Sequence, residues 1–154
     1  MTPRAMTIDV LPAGFGDCLL VSCPVGGRQW RMLIDTGPDE TYLALKRRMS
    51  QLPLAEDGRR HIDLMVVTHI DHDHIGAAKL LLEDKELALT FGDIWFNAPP
   101  MPQARGVAEG QYLTTLLGAD PEKLPWNEAW SGCPVSTPAR GGSVQLEAKD
   151  LPVL

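Results

Sequence analysis

The stretch from Ile62 to Gly76 constrains this chain more than any other. Ile62-Asp63-Leu64-Met65-Val66-Val67-Thr68 is apolar enough to be a central strand, and Ala77 to Asp84 reads as a helix. Between them runs His69-Ile70-Asp71-His72-Asp73-His74, six residues holding five potential metal ligands and three of the chain's four histidines. A surface turn has no folding reason to gather imidazoles and carboxylates. The plain alternative is a solvated acidic turn in which Asp71 or Asp73 caps the helix. Strand ends of α/β folds are where sites are built. In an extended segment, residues i and i+2 share a side. His69 and Asp71 can therefore grip one ion, and Asp73 and His74, where the chain turns into the helix, a second ion beside it. His72 points away from the first pair, either backing a ligand or facing solvent.

The rest of the chain supplies a frame for that segment. Thr7 to Leu11 alternates with period 2, Asp17 to Cys23 and Gln29 to Asp35 are apolar runs, and Pro24-Val25-Gly26-Gly27 is a turn between them. Tyr42, Leu45, Met49 and Leu52 fall on one face of a helix over Asp39 to Leu52. A short strand is expected at Asp93 to Asn97 and a helix at Glu109 to Leu117. Leu124 to Pro138 reads as irregular, and Ser143 to Ala148 as a last strand. Strands that open as a hairpin and then alternate with helices make a mixed sheet with helices packed outside it. At 154 residues and 44% hydrophobic, one globular domain is expected. No run approaches the ~18 apolar residues of a membrane span, and the N-terminus lacks the apolar core of a signal peptide. Cys18, Cys23 and Cys133 follow no disulfide or zinc pattern and read as reduced core thiols of a cytoplasmic protein. A net charge of −6 argues against a broad basic surface for nucleic acid, although bound cations reverse such a field locally.

The string T-H-x-D-x-D-H-x-G, here Thr68 to Gly76, resembles the metal motif of the metallo-β-lactamase superfamily. The commoner form has His where this chain has Asp71. The Asp form resembles the ComEC-like branch, whose members include the nuclease domain of bacterial competence proteins. Gly14-Phe15-Gly16-Asp17-Cys18-Leu19-Leu20 is similar to that branch's early glycine loop and second strand, and Leu33-Ile34-Asp35-Thr36-Gly37 to the superfamily's IDTG segment. The resemblance covers about residues 7–97 and is loose from Met101 onward. It implies an α/β fold, the four-layer αββα sandwich with mixed sheets, holding one or two divalent ions, Zn or Mn. It also implies a hydrolase acting through a metal-activated water. His69 and Asp71 would be ligands of the first ion, and Asp73 and His74 of the second. Asp73 would also be the catalytic acceptor for the attacking water. Asp35 would lie under the site and support it, its alternative being a turn-forming Asx residue. A carboxylate at position 71 makes the donor set harder and more anionic, which favours Mn²⁺ or Mg²⁺ over Zn²⁺ and suits phosphate esters.

The chain departs from the family in its second half. The family completes its site with another His, a bridging Asp and a final His. Here no histidine follows His74, the later aspartates are Asp84, Asp93, Asp120 and Asp150, and His61 sits at the far end of the central strand. Residues 1–154 are therefore expected to form the N-terminal portion of a longer domain, or to be completed by a partner chain. One sheet face would then lie open, with Trp95, Phe96, Trp126 and Trp130 as candidates to line it, or else to pack in the core. The function expected is hydrolysis of a phosphodiester such as DNA, with no membrane partner. The alternatives are small esters, lactones or thioesters as substrates, or a non-catalytic fragment that binds metal weakly or pairs with another protein.

Overall fold

The computed structural model describes residues 5–97, 107–119, 124–130 and 135. Cys133, Asp120, Asp150 and the expected strand at Ser143 to Ala148 lie outside them. Five strands form one sheet in chain order: β1 (Thr7–Val10), β2 (Leu19–Val25), β3 (Arg28–Ile34), β4 (Arg60–Val67) and β5 (Leu89–Phe96). β1–β2 and β2–β3 pair antiparallel, and β3–β4 and β4–β5 pair parallel. The mixed sheet is thus the expected one.

Local chemistry shifts several boundaries. Gly26 and Gly27 have φ of 56° and 85°, so these two residues alone make the β2–β3 turn, and Pro24 and Val25 belong to β2. The strand expected at Asp93 to Asn97 begins four residues earlier, at Leu89. Gly92 hides its first half from a search for alternation. A Cβ there would stand 2.5 Å from the Asp63 carbonyl oxygen, so β4 passes too close for any side chain. The helix read over Asp39 to Leu52 splits into a 3₁₀ turn, Asp39–Thr41, and α1 (Tyr42–Ser50). α2 (His72–Ile75), α3 (Ala78–Glu83) and α4 (Val107–Ala119) follow.

The helices cover one sheet face. Leu20, Leu33, Met65 and Val67 from the strands meet Leu45 and Met49 of α1, Ile75 of α2, Leu81 of α3 and Leu113 of α4. Each fully buried side chain of this size contributes about 1.5–3 kcal/mol. On the other face Trp30, Leu64 and Trp95 cluster with Trp130 and Val135. Towards β1 that face opens. Ile8 lies opposite Val21, and Val21 opposite Met32; Ile8 and Val10 are 54% and 76% exposed. Among the described residues the exposed part of that face is confined to the edge strand, and the aromatic candidates do not line it. Trp95 is buried edge-on against Trp130, Phe96 is buried on the helix side, and Trp126 packs on Phe96. Adjacent strand residues point to opposite faces, so Trp95 and Phe96 serve two different clusters. Among the described residues no helix is long and apolar enough to cross a membrane.

Candidate metal centre

β4 ends at Val67, and the next nine residues form the candidate centre. Asp71 occupies the N-cap position of α2 with an extended backbone, φ −70° and ψ 141°, yet its side chain makes no capping hydrogen bond. The carboxylate is left for other work. The donor atoms of His69, Asp71 and Asp73 all lie within 4.8 Å of one another, as do those of Asp35, His69 and His74. His69 Nε2 is 3.7 Å from Asp71 Oδ2, and His74 Nε2 is 3.5 Å from Asp73 Oδ2. The two imidazoles stack obliquely, centroids 3.6 Å apart. Both pairs read from the sequence therefore meet, and the structure joins Asp73 to the first of them. Donors on one tetrahedral ion with bonds of ~2.1 Å stand about 3.4 Å apart. Small side-chain rotations bring this set onto an ion, so the residues present fit a divalent metal.

Asp35 supports the centre from below. It is almost wholly buried and sits at φ 52°, a left-handed conformation seldom taken by a non-glycine residue. Its carboxylate accepts hydrogen bonds from the Thr68 amide at 2.8 Å, the Thr68 hydroxyl at 2.6 Å and His74 Nδ1 at 3.0 Å. Thr68 Oγ1 also lies 2.9 Å from His69 Nδ1. The Thr36 amide and hydroxyl both donate to the His74 carbonyl, at 2.8 and 3.0 Å. The IDTG segment thus staples the loop that carries the candidate donors to the end of β3.

Two neighbours of the centre were not legible in the sequence. Gly16 approaches so closely that a Cβ on it would stand 1.8 Å from the Asp73 carbonyl oxygen. Next to it, Asp17 Oδ2 lies 3.7 Å from His74 Nδ1. The paired glycines of Gly14-Phe15-Gly16 are the only trace of this contact in the sequence.

The remaining candidates lie elsewhere. His72 turns to the other side of α2, with Nε2 3.2 Å from Asp39 and 3.6 Å from Glu40, and Nδ1 3.6 Å from Glu109. Burial opposes its charging, but the three carboxylates outweigh burial and raise its pKa. It links α2 to the 3₁₀ turn and α4 beside a cavity of about 320 Å³, on the far side of α2 from Asp71 and Asp73, and its donor atom lies within 4.8 Å of those of Asp39 and Glu40. His61, at the start of β4, faces Thr90 and Asp63. Asp93 is fully buried and its two oxygens accept from the amides of Ile94, Glu128 and Ala129 and from Trp95 Nε1, which occupies the carboxylate. Burial, with the Asp35 charge, pushes the Cys18 thiol up to about 12, so it is inert.

A mixed sheet whose fourth strand leads imidazoles and carboxylates into one loop, over a buried aspartate, defines an α/β domain with a candidate metal site. The chain belongs to the metallo-beta-lactamase superfamily, whose family model matches residues 11–131. It is similar to ComE operon protein 3 of Bacillus subtilis (strain 168), 33% identical over an alignment of 87 positions that covers 49% of this chain and 11% of that protein. The match spans about a ninth of the relative's length. No solved structure gives a significant match.

Proposed function

We propose that this chain carries the metal centre of a hydrolase that cleaves phosphodiesters, DNA among them, with Mn²⁺ preferred over Zn²⁺. One observation carries the reading. Of the two groups of donors that include His69, the more exposed one contains two carboxylates, Asp71 and Asp73, and a single imidazole. Oxygen-rich donor sets suit harder cations, and clamped cations suit the charge of a phosphodiester. His69, Asp71, Asp73 and His74 would hold one or two ions. A divalent ion there supplies a water acidified towards neutral pH and a Lewis acid for the phosphoryl oxygen. Asp73 turns one oxygen to His74, and the other would accept a hydrogen bond from the attacking water and take its proton. Asp35 holds His74 by Nδ1, so that Nε2 would be the nitrogen left for an ion.

The test is cleavage of single-stranded DNA by the purified chain with Mn²⁺ against the same mixture with chelator. Activity that requires Mn²⁺ and falls more than ~10²-fold in Asp73→Ala supports the reading. No cleavage of DNA, combined with turnover of a lactone or thioester at the same centre, refutes the choice of substrate.

A further inference from the structure

Asp35 reaches both imidazoles of the centre, one directly and one through a hydroxyl. An ionised carboxylate only accepts hydrogen bonds, and a hydroxyl has one proton to give. Thr68 Oγ1, 2.6 Å from Asp35 Oδ2, must spend that proton on the carboxylate. Towards His69 Nδ1, 2.9 Å away, it then offers lone pairs alone. The hydrogen in that contact belongs to His69 Nδ1. The opposite assignment would leave two oxygens 2.6 Å apart with no proton between them. His74 Nδ1, 3.0 Å from the same Oδ2, is likewise the donor. In both rings the Nε2 lone pair is left on the side of the acidic residues, 3.7 Å from Asp71 and 3.5 Å from Asp73.

We propose that Thr68 is a positioning residue. Its hydroxyl extends the acceptor character of Asp35 to His69 and holds that imidazole as the Nδ1–H tautomer, with Nε2 free for a divalent cation. This rests on the reading of His69 as a metal ligand. One buried carboxylate thereby prepares two imidazoles, and the hydroxyl bridges the gap to the farther one. The amide of Thr68 is tied to Asp35 Oδ1 at 2.8 Å independently of the side chain. Thr68→Val therefore removes the relay while keeping both the shape and the backbone anchor, and Thr68→Ser restores the hydroxyl.

The experiment is two-bond ¹H–¹⁵N correlation on metal-free protein with labelled histidine, near pH 8, where a free imidazole of pKa ~6.5 is neutral. In the wild type, His69 and His74 are expected as Nδ1–H tautomers. In Thr68→Val, His69 should pass largely to Nε2–H, while His74, bonded directly to Asp35, stays Nδ1–H and serves as the internal control for the fold. Thr68→Ser should restore His69. Calorimetry with Mn²⁺ should show affinity reduced ~10–100-fold in Thr68→Val and recovered in Thr68→Ser. An Nε2–H His69 in the wild type overturns the proposal. So does Thr68→Val with His69 still Nδ1–H or with unchanged Mn²⁺ affinity. Wild-type protein with the expected tautomers that binds no Mn²⁺ supports the relay and refutes the metal-centre reading, so the two fail separately.

Discussion

Replacing Asp35 by Asn measures how much of the centre depends on a single charge. The amide keeps the shape of the side chain and exchanges one acceptor oxygen for a donor. Its oxygen stays on the Thr68 amide, where Asp35 accepts at 2.8 Å. The new NH₂ group then faces the Thr68 hydroxyl and His74 Nδ1, which lie 2.6 and 3.0 Å from Oδ2. Both partners must reverse. The hydroxyl accepts and turns its proton to His69, and His74 moves its own proton from Nδ1 to Nε2. No polar group is orphaned, so folding loses only the difference between three charge-assisted and three neutral bonds, about 1 kcal/mol each. A loss of ~3 kcal/mol lowers Tm by about 6–12 °C for a chain of this size. Metal binding suffers more, because both rings now present N–H where an ion needs a lone pair. At ~10–100-fold for each disturbed partner, affinity falls ~10²–10⁴-fold, or about 3–5 kcal/mol. Calorimetry with Mn²⁺, alongside thermal unfolding, reads both quantities. A folded Asp35→Asn protein whose Mn²⁺ affinity stays within about threefold of wild type, ~0.7 kcal/mol, would refute the reasoning.

Other substitutions probe the frame. Gly16→Ala places a Cβ 1.8 Å from the Asp73 carbonyl, a backbone clash; Mn²⁺ affinity should fall at least ~10-fold by calorimetry, since the displaced segment carries Asp73. Leu33→Ala empties a fully buried position between sheet and helices and should lower unfolding free energy in urea by ~2–5 kcal/mol. Burial favours the neutral form of Asp84, but hydrogen bonds from Lys46, Tyr42 and the Glu86 amide outweigh it and hold the carboxyl below its usual range. Because the folded value lies below the unfolded one, its stabilisation is complete above about pH 4 and fades as pH falls through the folded value, so Asp84→Asn should flatten the acid limb of a stability–pH curve. Cys18, with its thiol raised to about 12, should resist iodoacetamide at pH 8 in the native protein and react in urea, as read by mass spectrometry of its peptide.

The centre was legible because its donors are crowded into one hydrophilic run after an apolar strand. Their spacing alone indicated which of them could meet, and His72 was excluded from the first pair by the same parity. Asp35 was visible only through its IDTG context; nothing local announces that its carboxylate reaches Thr68 and His74 across the sheet. Contacts between distant segments stayed hidden, as with Gly16 against Asp73. The first half of β5 was missed because a glycine required by a neighbouring backbone erased the period-2 signal. Composition does not rank a strand's two sides, so the sequence leaves Trp95, Phe96, Trp126 and Trp130 equally able to line an open face or to pack in the core. The open part of the sheet instead belongs to Ile8 and Val10, on the short edge strand.

The four donors span only six consecutive residues, whereas Asp35 stands 39 positions from His74. An ion gathering His69, Asp71, Asp73 and His74 closes a loop so short that the unfolded chain presents nearly the same ligands. Binding to both states cancels in the folding equilibrium, and a bound ion stabilises the fold only by the margin between the two affinities. That margin is what the remote aspartate adds when it orients the rings. Melting temperature should therefore respond to Mn²⁺ less than its dissociation constant alone would indicate, and the metal-free chain should keep its hydrophobic core intact. On this account folding would precede loading, and an ion at the centre would be the guest of a structure that forms without it.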